Sequence, residues 1–138
     1  MKIQILPLVK GAQKATGLTV IIDVFRAFSL EAYMYTSGAK KVIPVKTVED
    51  ALALKKENPS YILVGERKGI KVEGFDYGNS PSEFVGVDLS GKTLIHTTSA
   101  GVLGLASAVS ASQIVTGALV NAKATAKYIL EQNPEVVS

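Results

Sequence analysis

The chain concentrates its acidic, basic and amide groups in a few short stretches between apolar runs. Asp23-Val-Phe-Arg26 closes the β-branched run Leu18-Thr-Val-Ile-Ile22, and Gly65-Glu66-Arg67 closes Tyr61-Ile-Leu-Val64. A carboxylate at the end of so apolar a run must reach a rim, pair with a base or hold a cation, because burying it alone is costly. Arg26 is near enough in sequence to pair with Asp23, and Glu66 and Arg67 pose the same choice. Together Asp23, Glu66 and Asp76 form an acidic set suited to Mg2+, a hard cation that takes oxygen ligands and keeps several waters. Arg26 and Arg67 are suited to clamping a phosphate or sulfonate through paired N–H donors.

The loop Thr97-Thr-Ser-Ala-Gly101 joins a strand to a helix. Its hydroxyls and backbone N–H groups suit a phosphate cradle at a helix N-terminus, and they suit ordinary helix capping equally. In Glu73-Gly-Phe-Asp-Tyr-Gly-Asn-Ser-Pro-Ser-Glu-Phe84, Ser80 reads as an N-cap, Pro81 as the first helical residue and Glu83 as the partner in a capping box. That leaves Asp76, Gly78 and Asn79 for an Asx-turn with glycine at positive φ, or for ligand contact. His96 is the only histidine and there is no cysteine, which argues against a zinc site. A packed role at a strand end is its ordinary reading, and acid–base work is the alternative.

The elements that must position these groups alternate along the chain. Strands are expected at Lys2–Leu6, Leu18–Val24, Lys41–Val45, Tyr61–Val64, Gly91–Thr97 and Gln113–Thr116, and a last one begins at Glu135. Helices are expected over Phe25–Ser37 with Gly38 as C-cap, from Thr47 to about Asn58, over Ala100–Val109, and over Asn121–Gln132. This alternation predicts an α/β fold of three layers, α/β/α, with a largely parallel or mixed central sheet in a single domain spanning residues 1–138. In such sheets ligands bind beyond the carboxyl ends of the strands, so Asp23, Glu66, Thr97 and Gly117 are expected on one rim. The strand entry at Glu135–Ser138 predicts either the N-terminal portion of a longer protein or a chain that completes its sheet with a partner, which leaves a homo-oligomer open.

Composition narrows the partners. A net charge of +3 with scattered lysines lacks the dense basic clustering of a nucleic-acid face, and it suits a small anionic substrate. No apolar run approaches a membrane span, and Pro7 and Lys10 interrupt the N-terminal apolar stretch, so neither a membrane segment nor a signal peptide is expected. The absence of cysteine fits a reducing, cytoplasmic setting.

The order Asp23-Val-Phe-Arg-Ala27, Gly38-Ala39, Gly65-Glu-Arg67, Gly74-Phe-Asp-Tyr-Gly-Asn-Ser-Pro81, Gly91-Lys-Thr-Leu94 and Thr97-Thr98 resembles the 2-phosphosulfolactate phosphatase (ComB) family, from about Val20 to Asn121. The resemblance implies an Mg2+-dependent phosphatase that converts (R)-2-phospho-3-sulfolactate to 3-sulfolactate and phosphate, a step of coenzyme M biosynthesis in methanogens. Many bacteria carry relatives outside that pathway. The family's Thr-Thr-Thr-Asn-Gly-Thr stands here as Thr97-Thr-Ser-Ala-Gly-Val102, one amide fewer, and family members continue beyond the strand that begins at Glu135.

The residue roles come from chemistry rather than from the family. Asp23, Arg26 and Arg67 are the catalytic candidates. Asn79, Ser80, Thr97, Thr98 and Ser99 are the candidate substrate donors, and Asp23, Glu66 and Asp76 the candidate metal set. Either a metal-activated water or Asp23 itself would attack phosphorus. The rival reading is a non-catalytic domain that binds a phosphate-bearing metabolite through the same loops. A purely structural protein would leave the polar strand ends unexplained.

Overall fold

The computed structural model describes residues 1–138. The elements run β1 (Lys2–Ile3), α1 (Leu8–Ala12), β2 (Gly17–Ile22), α2 (Ala27–Thr36), β3 (Lys41–Pro44), α3 (Val48–Glu57), β4 (Ile62–Arg67), β5 (Ile70–Lys71), β6 (Thr93–Thr97), α4 (Gly101–Ser107), β7 (Ala111–Gly117), α5 (Ala122–Gln132) and β8 (Val136–Val137). A short 3-10 turn covers Pro81–Phe84. The expected elements are present with ends shifted by a few residues. The N-terminal strand is shorter than Lys2–Leu6, and α1, whose five residues are too few to show a helical period, follows it.

The strands divide between two four-stranded sheets, ordered β1-β8-β2-β7 and β3-β6-β4-β5. Every pairing is parallel except the β4–β5 hairpin. The α/β class with largely parallel strands is therefore as expected. The strand begun at Glu135 lies inside the first sheet, with Val137 opposite Ile3 on one side and Leu18 on the other.

Alternation along β4 and β6 builds two cores, because successive side chains point to opposite faces of a sheet. Val64 and Leu94 pack with Leu30 and Met34 of α2, Phe84 and Leu89. Leu63 and Ile95 face the other way, onto Ala51 of α3 and Phe75. A third cluster of Ala27, Phe28 and Ala118 joins α2 to the end of β7. Helix ends follow their local chemistry. Thr47 Oγ1 accepts the Asp50 N–H at 3.0 Å and donates to the Asp50 carboxylate at 2.6 Å, which holds the start of α3. Gly38 ends α2 at φ +96°, a conformation that side chains resist.

Candidate active site

Two cavities adjoin at Asp23, Phe25 and Ala100, the smaller at the carboxyl ends of the strands and the larger running along β2. The larger, about 970 Å3, is an apolar cleft lined by residues such as Ile3, Leu6, Ile21, Leu103, Ile129 and Val137. The smaller, about 170 Å3, is polar, and it brings together Asp23, Phe25, Arg26, Glu66, Gly69, Asn79, Thr98 and Ala100. The second has the donors and charges that phosphate chemistry needs, so size does not decide which cavity is the site. Asp23 follows β2, Glu66 ends β4 and Thr98 follows β6, so the two sheets bring their carboxyl ends to one place.

Asp23 is half-buried, and burial pushes its carboxyl above the ordinary 3.8. The Ala27 N–H, His96 and Arg26 pull the other way, while the charge of Glu66 adds to the rise. Asp23 and Arg26 do not form the strand-end ion pair that their spacing allows. Gly101 is needed here. A Cβ on it would stand 2.6 Å from Asp23 Oδ2 and 2.7 Å from Ala27 Cβ, so α4 starts against Asp23 only because this residue has no side chain.

Glu66 is buried at 6% exposure and ties the loops around the pocket. It accepts the Ser99 N–H at 2.7 Å, the Gly69 N–H at 2.7 Å and the Ser99 hydroxyl at 3.1 Å. Burial pushes its carboxyl up, but these donors and Arg67 outweigh that, and it lies below its ordinary 4.5. The Ser99 N–H and hydroxyl are thus spent on Glu66. Thr98 Oγ1 accepts the Val102 N–H at 3.2 Å and caps α4. The loop Thr97–Gly101 is therefore first a capped and tied turn, and of its candidate donors only Thr98 lines the polar pocket. Its hydroxyl proton is left for a ligand oxygen, since the cap uses only the lone pair.

Arg67 and Asp76 stand outside the pocket. Arg67 adjoins Glu66 on β4 and so faces the opposite side. Its guanidinium donates to Thr97 Oγ1 at 2.8 Å, to the Glu66 carbonyl at 2.7 Å and to the Lys46 carbonyl at 3.1 Å. Thr97 is wholly buried against it. Asp76 accepts the Leu63 N–H at 2.8 Å and lies 3.8 Å from Lys55 Nζ. The cause is direction. Residues around Tyr77 run parallel beside β4, with the Tyr77 N–H on the Leu63 carbonyl and the Gly65 N–H on the Tyr77 carbonyl. Asp76 therefore lies level with Leu63, and Asn79, about 10 Å further along an extended chain, reaches the rim. The set Asp23, Glu66 and Asp76 does not assemble, and no group of three metal-ligating side chains comes together. Asp23 and Glu66 alone share the pocket.

Ser80 is also outside it. Its hydroxyl pairs with that of Ser82 at 2.8 Å and caps nothing. Instead of closing a capping box, Glu83 accepts the Gly78 N–H at 3.0 Å. A Cβ at Gly78 would stand 2.8 Å from the tip of the Glu83 side chain, and the positive φ belongs to Gly74 rather than to Gly78. Asn121 holds its own loop, accepting the Ala118 N–H and donating to the Thr116 carbonyl. The sequence places Gly101 in the loop but not its close approach to Asp23 and Ala27, and it does not foretell the buried contacts of His96 with Glu31 and Asn79. Both depend on residues far apart in sequence or on different elements, and nothing local signals them.

The parallel strand ends of this α/β chain thus gather two carboxylates, a guanidinium, an amide and a hydroxyl around one small polar pocket. The family described as 2-phosphosulpholactate phosphatase matches residues 5–138, and the chain belongs to that family. Proteins named probable 2-phosphosulfolactate phosphatase are similar to it: one from Carboxydothermus hydrogenoformans at 47% identity over 118 residues, 86% of this chain and 49% of that relative. One from Clostridium acetobutylicum is 44% identical over 130 residues, 94% of this chain and 55% of that relative. One from Bacillus subtilis is 38% identical over 112 residues, 81% and 49% respectively. The chain thus spans about half the length of the curated relatives it matches.

Proposed function

We propose that this chain carries the phosphate-handling part of a phosphatase that hydrolyses 2-phosphosulfolactate, or a similar anionic phosphomonoester, to the alcohol and phosphate. The supporting observation is the polar pocket that joins Asp23, Arg26, Glu66, Asn79 and Thr98 in a chain of this family. Phosphoryl transfer needs positioning and charge stabilisation more than covalent chemistry, and this set supplies both. Arg26 neutralises the phosphoryl oxygens. Asn79 and Thr98 donate to them. Asp23, with its carboxyl raised by burial, takes the proton of the attacking water; direct attack by Asp23 is the other route. Glu66 holds the Ser99 and Gly69 loops in place.

Mg2+ fits the donor set. Two carboxylates whose charges oppose each other face one pocket, and Mg2+ is usually bound by one or two carboxylates together with substrate phosphate and water. Asp23 would hold it, with Glu66 offering only the lone pair that its Oε1 keeps beyond the bond from the Ser99 N–H, and when bound it supplies charge neutralisation at the phosphoryl oxygens.

The test is phosphate release from 2-phosphosulfolactate, with Mg2+ and then with a chelator. Release that requires Mg2+, is abolished by chelation and returns on adding the ion is the expected result. Release indifferent to chelation removes the metal from the reading. Calorimetric binding of the substrate with no release would favour the anion-binding domain instead.

A further inference from the structure

Three polar side chains from three separate elements form a buried line that ends at the pocket. His96 on β6 is 0% exposed, Glu31 on α2 is 6% exposed and Asn79 is 8% exposed. His96 Nδ1 lies 3.4 Å from Glu31 Oε1, and His96 Nε2 lies 3.3 Å from Asn79 Oδ1. Only Asn79 among the three lines the polar pocket. Both atoms facing the imidazole are oxygens, a carboxylate and an amide oxygen. For both contacts to be hydrogen bonds, Nε2–H donates to Asn79 Oδ1 and one further proton lies between Nδ1 and Glu31 Oε1, shared by imidazole and carboxyl. An amide whose oxygen is held inside can offer only its NH2 group to a ligand.

We propose that His96, held by Glu31, is a positioning residue for the site: it fixes the Asn79 amide so that Nδ2–H faces the anion, and so favours phosphate or phosphomonoester oxygens over ligands that need an acceptor there. Burying three polar groups is costly unless each is bonded, and an apolar residue at position 96, opposite Val64 on β4, would carry no such cost. The line therefore has a use beyond filling the core. This inference rests on the reading of the pocket as a phosphate site.

Inorganic phosphate is the probe, with binding followed by calorimetry and the Asn79 side-chain NH2 pair followed in 15N spectra of the ligand-free chain. Asn79→Ala and His96→Leu should each weaken phosphate about tenfold or more, the loss of one hydrogen bond to a charged ligand. His96→Leu combined with Asn79→Ala should be no weaker than Asn79→Ala alone, because His96 acts only through Asn79. His96→Gln, whose amide can still donate to Asn79 Oδ1, should restore most of the affinity. Glu31→Gln should loosen the Asn79 NH2 signals even without phosphate. If His96→Leu fails to fold, His96→Gln and Glu31→Gln carry the test. Additive losses in the double variant, or Asn79 NH2 signals unchanged in Glu31→Gln, would overturn the inference. A wild-type chain that ordered Asn79 as described yet bound no phosphate would instead overturn the reading of the site.

Discussion

At Arg26 a guanidinium lines the pocket and takes part in none of the ion pairs of the structure, whereas Arg67 gives its donors to Thr97 and two backbone carbonyls. The two arginines should therefore separate in experiment. Arg26→Ala should raise KM for the phosphomonoester about tenfold or more, the cost of one charge-assisted contact, and leave the melting temperature within a degree or two. Arg67→Ala should instead lower the melting temperature. The reverse pattern would exchange their roles. Glu66 gives a pH signature. Its folded carboxyl titrates below the ordinary 4.5, so the stability it adds is complete above that pH and is lost as pH falls through the lower folded value. Glu66→Gln should melt below wild type at neutral pH, and the gap should close under acid. A gap that does not narrow at all as pH falls below the ordinary 4.5 would contradict the tie to Ser99 and Gly69.

At the scale of elements, the start of α4 is fitted to the end of β2 by Gly101. Gly101→Ala places a methyl group 2.6 Å from Asp23 Oδ2, so α4 or Asp23 must move. Overpacking of this kind costs about 1–3 kcal/mol. Denaturant unfolding should show that loss, and turnover should fall further than Thr47→Ala lowers it, since Thr47 caps α3 away from the pocket. Equal turnover in the two variants would show that the α4 junction does not position Asp23. The elements themselves were legible because each is written in adjacent residues: β-branched runs for β2 and β4, Thr47 with Asp50 for α3, Gly38 for the end of α2. Which strand lies beside which was not. β8 enters between β1 and β2, and β2 pairs with β7, through contacts between residues far apart in sequence that no local pattern encodes.

At the scale of the whole molecule, the same limit explains the site. Asp23, Arg26, Glu66 and Thr98 were legible as polar groups at strand ends and Asn79 as a loop amide that capping leaves over, and the fold brings them together. Arg67 was drawn in as a base beside Glu66 at a strand end, and Asp76 as an acid that helix capping leaves over. Neither cue says which face a strand residue takes, or that the chain around Tyr77 runs alongside β4 and leaves Asp76 level with Leu63. No helix is long and apolar enough to cross a membrane. The large apolar cleft lies beside the polar pocket and shares Asp23, Phe25 and Ala100 with it, so the two cavities meet at the end of β2 and the start of α4.

The most direct measurement compares phosphate release from 2-phosphosulfolactate by wild type, Asp23→Asn and Asp76→Asn. Burial raises the Asp23 carboxyl, so its ionised form costs stability above the folded value, and Asp23→Asn should melt at or above wild type at neutral pH. Its turnover should nevertheless fall by at least about 100-fold, as expected for loss of a group acting on the transferred proton. Asp76→Asn should keep wild-type turnover per folded molecule and lose about 1 kcal/mol of stability with the weakened bond from the Leu63 N–H. Full turnover in Asp23→Asn, or its loss in a folded Asp76→Asn, would contradict the assignment of the pocket.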